Sequence, residues 1–454
     1  MNDELRVKNN ELGGKMNYRY RTDEEMKDNE SGFLERIPND WKVAKAQYYF
    51  NVYAGGTPST NEPAYWDGDI PWINSGEVQN CIVKKISRYI TERGLEESST
   101  KLIPKNTTLL AMTGATCGKV GYLTFDSTAN QSVMAFTEPR NCSSKFLFYY
   151  LICQNHQIEY FKTGGAQGGI NVDNGKKLYI NIPSKTEQEK IAKFLDEKTV
   201  QFDSIISKKE ALIEKLEEAK KSLISEVVTG KVKVVKTNDG YELVERKKEE
   251  MKDSGVEWLG LVPKGWKIIK LKYLATLMNK KVKSNSVDKY IGLENVESKT
   301  GFIISYTDPE KVESDLSTYF DRNMVLFGKL RPYLAKCVVT ETSGICSDEF
   351  LVLRTLRLSP NILKYIMLNS EFIDLVNSST YGAKMPRANW DFISNIKVPF
   401  FSADEQTIIE EFIIYKCNSI DKIINIKKQQ IEKLKEAKQS LISEAVTGKI
   451  EILD

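Results

Sequence analysis

The chain has 454 residues, of which 41% are hydrophobic and 28% charged, with a formal net charge of +3. This composition is ordinary for a globular protein of about two to four domains. No apolar run approaches the ~18 residues that cross a bilayer, and the N-terminal segment lacks the apolar centre of a signal peptide. The seven cysteines are scattered and form no CxxC pair. The sequence therefore predicts a cytoplasmic protein without a disulfide framework or a zinc cluster.

The first half begins with residues 1–30, which are charged and poor in apolar side chains, as in a loose arm. Residues 31–183 mix short β-like runs with turns and predict a globular domain. An amphipathic pattern over Lys145–Tyr160 predicts a helix. Three apolar, β-branched runs predict strands at Thr108–Met112, Val120–Phe125 and Val133–Phe136.

Residues 184–231 predict one long helix, because neither proline nor glycine interrupts them before Gly230. Ser184 and Glu187 have the spacing of a capping box, and Gly230 suits the left-handed turn that ends a helix. Apolar residues fall three and four apart in a narrow stripe bordered by Lys and Glu, which is typical of a coiled-coil seam. At ~1.5 Å per residue the helix would be a rod of about 65 Å.

The second half repeats the first. Ile213–Lys231 returns as Ile431–Lys449, about 218 residues later, and the copies differ only at Glu217, Lys221 and Val227. Such near-identity at this period indicates a duplicated half-molecule. The predicted domains are a linker (232–253), a second globule (254–401) and a second helical region (402–454), which opens at Ser402…Glu405 and ends near Gly448. Within the second globule, strands are predicted at Met324–Phe327, Cys337–Thr340 and Phe350–Leu353, and a helix at Pro360–Asn377.

The order globule, rod, globule, rod predicts an α+β fold class. Two α/β globular domains are separated by two long helices, paired as an antiparallel coiled coil with a pseudo-twofold axis. A single rod has no place to bury its stripe, so the second copy is the expected partner. The linker reaches at most ~75 Å, too short to return along a rod, which favours antiparallel pairing with the globules at opposite ends.

Catalytic signatures are absent from the sequence. His156 is the one histidine and is expected to be structural. The spacing from Gly114 to Lys119 is too short for a phosphate-binding Walker loop, and no methyltransferase tetrad occurs. Lysines cluster without acids between Trp258 and Val287, and a second acid-free stretch runs from Arg322 to Thr340. These patterns predict a non-catalytic binding protein with surfaces suited to phosphate.

Binding residues are predicted in the turn-rich Gly55–Ser59 segment and in the polar loops before each rod, Gly164–Asn174 and Tyr381–Trp390. The tryptophans of the following YWDGDIPWI run, Trp66 and Trp72, are expected in the core. The candidate DNA-contacting residues are Thr57, Ser59, Lys119, Gln131, Gln167, Asn171, Lys280, Lys281, Lys329, Arg331, Lys384 and Arg387.

The motifs point to a known family. They are GGTPS…YWDGDIPWI, GATCGKVG followed by NQS, and IPSKTEQEKI in the first half, then YIGLENVES, FGKLRPYLAK, YGAKMPRANW and ADEQTII. With these motifs, nearly the whole chain resembles the specificity subunit of type I restriction-modification systems. Phe401-Ser402-Ala403 stands where the family usually has a proline-rich turn.

The resemblance implies that each globule is a target recognition domain for one half of a split, asymmetric DNA sequence. The rods would set the gap between half-sites and dock partners. Those partners would be double-stranded DNA, two methyltransferase subunits and restriction/translocase subunits, with no membrane. This chain would hold no cofactor; S-adenosylmethionine, ATP and magnesium would act on the partner subunits, which methylate adenine and cut DNA.

Relatives share these motifs but read different sequences, so the motif residues are expected to build the scaffold or to contact phosphate. Base discrimination is predicted between the motifs, in Asn74–Lys105, Met278–Lys289 and Phe302–Asp321. One helical turn inserted into Lys208–Leu223 is expected to lengthen the preferred gap between half-sites. Two alternatives stay open: a coiled-coil scaffold without a DNA role, and an orphan or decoy specificity subunit.

Overall fold

The structure is a computed structural model that describes residues 18–29, 31–33, 36–163, 168–283, 288–309, 316–380 and 385–453. The chain divides into two compact units. The first comprises Met1–Lys209 and Gln429–Asp454, and the second comprises Glu210–Lys428. No helix among the described residues combines the length and apolar character that crossing a membrane requires.

The elements up to the end of the first long helix are strands β1 (Tyr18–Tyr20), β2 (Met26–Asp28), β3 (Arg36–Pro38), β4 (Lys42–Lys45), β5 (Asn51–Ala54), β6 (Trp66–Ile73), β7 (Cys81–Ile82), β8 (Arg88–Ile90), β9 (Thr108–Ala111), β10 (Val120–Tyr122), β11 (Thr128–Ala129), β12 (Val133–Thr137) and β13 (Tyr179–Ile182). The helices of this part are α1 (Glu92–Glu96), α2 (Ser144–Ile152), α3 (Asn155–Phe161), α4 (Val172–Lys176) and α5 (Lys185–Val228).

The remaining strands are β14 (Val232–Thr237), β15 (Gly240–Glu245), β16 (Met251–Asp253), β17 (Leu261–Pro263), β18 (Lys267–Lys270), β19 (Ala275–Met278), β20 (Lys281–Lys283), β21 (Tyr290–Ile291), β22 (Leu316–Phe320), β23 (Val325–Gly328), β24 (Cys337–Val339), β25 (Gly344–Cys346), β26 (Phe350–Thr355), β27 (Lys397–Phe400) and β28 (Ile450–Ile452). The remaining helices are α6 (Pro360–Leu368), α7 (Ser370–Ser378), α8 (Trp390–Ile393) and α9 (Ala403–Val446).

The first unit is built on a five-stranded sheet in the order β5-β12-β9-β10-β7, in which β10–β7 is parallel and the other pairs are antiparallel. Every residue of β9 and β12 is buried, because both faces of the sheet are covered. Leu110 and Phe136 belong to one apolar cluster with Phe146 of α2. Leu109 and Ala135, which alternate with them, belong to a second cluster on the other face. Other strands of the same unit form a separate three-stranded sheet in the order β11-β6-β8.

The second unit repeats this plan. Its main sheet has the order β19-β26-β23-β24, and a further four-stranded sheet has the order β20-β22-β25-β21. Phe327 and Leu353 belong to a cluster with the residues of α6, whereas Leu326 and Val352 belong to a cluster with Phe320. The six strands that the sequence predicts are confirmed, with ends that shift by one to three residues.

The long helices are paired antiparallel in each unit. In the first unit, Lys438 Nζ lies 2.6 Å from Asp203 Oδ1, and Lys209 Nζ donates to Gln430 Oε1 at 2.7 Å. In the second unit, Lys220 Nζ lies 2.6 Å from Asp421 Oδ2. Residue numbers thus rise along α5 in the direction in which they fall along α9, so the two helices run antiparallel. The Lys438–Asp203 and Lys220–Asp421 pairs are equivalent under the duplication, and the predicted fold class is confirmed.

Each long helix is attached to its unit by a buried arginine. Ser184 accepts from the Glu187 amide at 3.2 Å, as the capping box predicts. The Glu187 carboxylate, however, accepts from Arg21 at 2.7 Å and from the Trp41 indole at 3.0 Å. Because Arg21 is almost fully buried, this carboxylate serves tertiary packing as well as the helix start. Arg246, Glu405 and Trp266 repeat the arrangement in the second unit.

Two segments have more structure than the sequence suggests. Residues 18–28, assigned to a loose arm, form β1 and β2, and β1 pairs antiparallel with β28 so that Tyr18 lies opposite Ile452. Residues 232–245, assigned to a linker, form the β14–β15 hairpin, which corresponds to the β28–β1 pair of the first unit. The hairpin is stabilised by Tyr241, whose ring packs edge-on against the buried Phe412 of α9.

The prediction of one continuous helix over Lys145–Tyr160, and of another over Pro360–Asn377, is wrong. Each breaks into two helices, α2 and α3 in the first unit and α6 and α7 in the second. Asn369 has an extended backbone at the second break, and its side chain accepts from the Phe372 amide at 3.2 Å. This side-chain cap starts a new helix, a competition with the helical ladder that apolar periodicity does not reveal.

Candidate nucleic-acid interface

Four segments meet in each unit and together form what we call the edge site. In the first unit they are 55–59, 112–119, 130–132 and 168–171; in the second they are 279–283, 329–336, 347–349 and 385–389. In the first unit, the Met112 amide donates to Ser132 O at 2.8 Å, and the Ile170 amide donates to Met112 O at 3.0 Å. The Thr57 hydroxyl donates to the Gln131 side chain. Candidate residues from distant parts of the chain are thereby brought together.

Two tryptophan side chains hydrogen-bond to the backbone of the 55–59 turn. Trp66 donates to Ser59 O and Trp72 donates to Gly56 O, each at 3.0 Å. Both indoles are nearly buried and lie edge-to-face 5.1 Å apart, so their predicted place in the core is confirmed. Arg88 was not among the candidate residues, although it lies in the predicted Asn74–Lys105 stretch; its guanidinium carbon lies 3.7 Å from the Trp66 ring centroid.

The second unit repeats the edge site with charged residues. The Lys329 amide donates to Glu349 O, and the Ala388 amide donates to Lys329 O, each at 2.8 Å. These bonds correspond to those of Met112 with Ser132 and Ile170 in the first unit. Lys281 forms an ion pair with Asp348 where Thr57 contacts Gln131. The frame is therefore shared, while its side chains are neutral in one unit and ionic in the other.

The acidic residues of this edge hold the basic ones in fixed positions. Arg387 makes two hydrogen bonds to the Glu349 carboxylate, at 2.7 and 3.2 Å, and the bond to Glu349 raises the pKa of Arg387. Burial alone would raise the pKa of Asp348. Hydrogen bonds from Lys281 and Thr318, with the charges of Lys281 and Lys329, instead lower that pKa. The Asp348 carboxylate is therefore ionised at neutral pH.

Arg331 has an unfavourable backbone conformation. It lies in the left-handed region at φ 51°, with its amide donating to Pro386 O at 2.8 Å. Ala335 also has a positive φ, of 46°, and the equivalent positions of the first unit are Gly114 and Gly118, with φ of 67° and 88°. A left-handed conformation costs a non-glycine residue about 1–2 kcal/mol. The second unit thus carries an exposed arginine at a corner where the first has the unstrained glycine.

The other candidates are placed as follows. Ser59 is exposed beside the turn, and Asn171 caps α4 by accepting from the Asn174 amide at 2.8 Å. Lys119 is partly buried at the end of its loop, and no contact draws its side chain to the other candidates within the described ranges. Lys280 lies 4.4 Å from the Tyr319 ring centroid. Gln167 and Lys384 lie outside the described residues.

Two further residues noted in the sequence, Lys336 and His156, contact backbone carbonyl groups. Lys336, part of the predicted basic stretch, donates to Leu293 O at 2.6 Å and to Val296 O at 2.8 Å, so its ammonium faces the protein. His156 Nε2 lies 2.6 Å from Phe33 O, a structural contact. Among the described residues, no group of histidines, cysteines and acids could hold a metal ion.

The chain is similar to proteins of one known family. The family model of the type I restriction modification DNA specificity domain matches residues 38–218. The chain is 27% identical, over 96% of its length and 98% of the relative's, to the type I restriction enzyme MjaIX specificity subunit of Methanocaldococcus jannaschii. It is 32% identical, over 34% of its length and 38% of the relative's, to the EcoR124I/EcoR124II specificity subunit of Escherichia coli.

A similar fold is known from a study of complex assembly and conformational transition of the type I R-M system. That chain superposes with a TM-score of 0.67 at 11% identity, covering 92% of this chain and 100% of its own length. The fold is thus that of a duplicated protein whose residues 38–218 match a DNA specificity domain. Over nearly its whole length the chain is similar to a type I restriction enzyme specificity subunit, as its motifs predict.

Proposed function

We propose that this specificity subunit binds a bipartite, asymmetric DNA target, with the edge site of each unit on one half. Two methyltransferase subunits and restriction/translocase subunits would complete the assembly. The chain itself would supply recognition, whereas adenine methylation with S-adenosylmethionine and ATP-driven cleavage would belong to the partners.

Arg331 carries the argument for DNA contact. Its backbone strain is of no use to packing, since the equivalent glycine builds the same corner. Strained residues persist where the surroundings hold them, and they concentrate at functional sites. An exposed guanidinium beside Lys281, Lys329 and Arg387 is suited to phosphate, which arginine binds with two parallel hydrogen bonds.

The second unit's edge also offers basic side chains to phosphate. Lys280, Lys329 and Arg331 form no salt bridge within the described ranges, so no carboxylate occupies their donors. Lys281 and Arg387 are held by single carboxylates and keep further donors available. The first unit offers hydroxyl and amide groups instead, from Thr57, Ser59 and Gln131, which bond to either phosphates or base edges.

The test is DNA binding by the full chain assembled with its methyltransferase subunits, measured by fluorescence anisotropy between 50 and 200 mM salt. The affinity of the wild-type complex is expected to fall steeply with salt, because bound phosphates release counterions. Mapping of methylated adenines should give one split sequence. Salt-independent binding, or methylation without sequence preference, would refute the proposal.

A further inference from the structure

A single side chain closes an equivalent loop in each unit. In the first unit it is Glu77, in the 3-10 turn after β6. Its carboxylate accepts from the Asn74 amide at 2.9 Å and from the Ser87 amide at 2.7 Å. One oxygen thus holds its own turn and the other holds the chain where it returns, so that residues 78–87 form a closed loop.

The second unit has the same device with a different residue. Asn295 occupies the equivalent position, in the 3-10 turn after β21. Its side-chain oxygen accepts from the Gly292 amide at 2.7 Å and from the Thr307 hydroxyl at 3.1 Å, and its amide donates to Ser305 at 3.1 Å. Residues 296–307 are thereby closed in the same way. We call Glu77 and Asn295 the pin residues, and the two segments the pinned loops.

Each pinned loop is also attached to the motif strands of its unit. Asn80, at φ 55°, accepts from the Val120 amide at 2.9 Å at the start of β10. In the second unit the attachment comes from Lys336, through its bonds to Leu293 O and Val296 O. Each loop is therefore closed by its pin residue and is also attached to the frame that carries the edge site.

The side chains on the pinned loops differ in chemistry. The first loop and the strand after it expose Lys84, Lys85 and Arg88. The second exposes Phe302, Ile304 and Tyr306, with 49%, 64% and 39% of their surface accessible. Basic side chains suit guanine edges and phosphates, while apolar ones suit the thymine methyl group. To read two different half-sites, the two units would need different exposed side chains on the same frame.

We infer that Glu77 and Asn295 are specificity-positioning residues, which hold the pinned loops in register with the bases. This inference rests on the proposed DNA-binding function. A recognition side chain must be held within about 0.5 Å of its productive position. Loss of a pin frees the loop end, so it should weaken discrimination without removing the sequence-independent phosphate contacts.

The experiment compares Glu77→Ala and Asn295→Ala in the full chain assembled with its methyltransferase subunits. Binding is measured to libraries in which one half-site at a time is randomised. Each variant is expected to lower discrimination about tenfold in one half-site only, a different half for each, because a misplaced base contact forfeits about 1–3 kcal/mol. Affinity for random DNA should stay within about twofold, because phosphates dominate it.

Conservative variants separate positioning from general damage. Asn295→Asp keeps the acceptor for the Gly292 amide and the Thr307 hydroxyl, and it replaces the amide donor to Ser305 by an acceptor to which the Ser305 hydroxyl can donate. It should therefore restore discrimination relative to Asn295→Ala, whereas Asn295→Leu should not. Glu189→Ala, exposed on α5 and outside every predicted binding segment, is the matched control for an acid removed from the same unit. Unchanged discrimination in both half-sites, or equal loss in both, would overturn the inference. A wild-type complex without any sequence preference would instead refute the proposed function.

Discussion

The strained corner at Arg331 gives a prediction in which stability and binding move in opposite directions. Arg331→Gly removes a left-handed non-glycine residue, which relieves about 1–2 kcal/mol. Glycine gives back about 0.5–1 kcal/mol through the greater freedom of the unfolded chain. The expected net gain is about 1 kcal/mol, or a rise in Tm of about 2–4 °C for a unit of this size.

The same change should weaken DNA binding. One lost phosphate contact lowers the slope of log affinity against log salt by about 0.9. Thermal unfolding and salt-dependent anisotropy on the same samples measure both effects. Gly114→Ala in the first unit is the reciprocal control, because its Cβ would meet nothing within 4 Å while its φ is 67°. That variant should lose stability and keep its salt slope. An Arg331→Gly protein with lower stability, or with an unchanged slope, would refute the reasoning.

Three further predictions concern the packing of the chain. Glu187→Ala leaves the largely buried Arg21 with only its bonds to Gly448 O and Ile450 O and should cost about 1.5–3 kcal/mol of unfolding free energy in denaturant titration; Glu189→Ala, exposed on the same helix turn, should cost little. Lys220→Ala should destabilise the protein more than Lys438→Ala, because the Lys220–Asp421 pair is less exposed; equal losses by the same titration would contradict this ranking. Burial raises the pKa of the Cys142 and Cys337 thiols to about 12, so both should resist iodoacetamide at pH 8 in the native protein while partly exposed Cys81 reacts, as mass spectrometry would show.

The edge site shows how far local sequence carries a functional prediction. Thr57 and Gln131 are candidates because polar residues stand in turn-rich motifs, and Lys281 and Arg331 because lysines and arginines cluster without acids. In the structure Thr57 contacts Gln131, Lys281 contacts Asp348, and the Arg331 amide contacts Pro386 O. These contacts depend on strand pairings between segments that are far apart in the chain. Asn295 lies in the YIGLENVES motif and Glu77 in the predicted Asn74–Lys105 stretch, but neither was identified as a positioning residue, because the two share a position under the duplication and not a residue type.

Sequence periodicity and self-similarity by themselves determined the duplication, the two long helices and the main strands. These features arise from spacing along the chain, which the sequence records directly. Tertiary structure alone decided that Glu187 binds Arg21 and Trp41, that each predicted helix beside the sheet breaks in two, and that β1 pairs with β28. Such choices are made by competition between local hydrogen bonds and partners brought close only by folding, and no spacing in the chain encodes which partner wins.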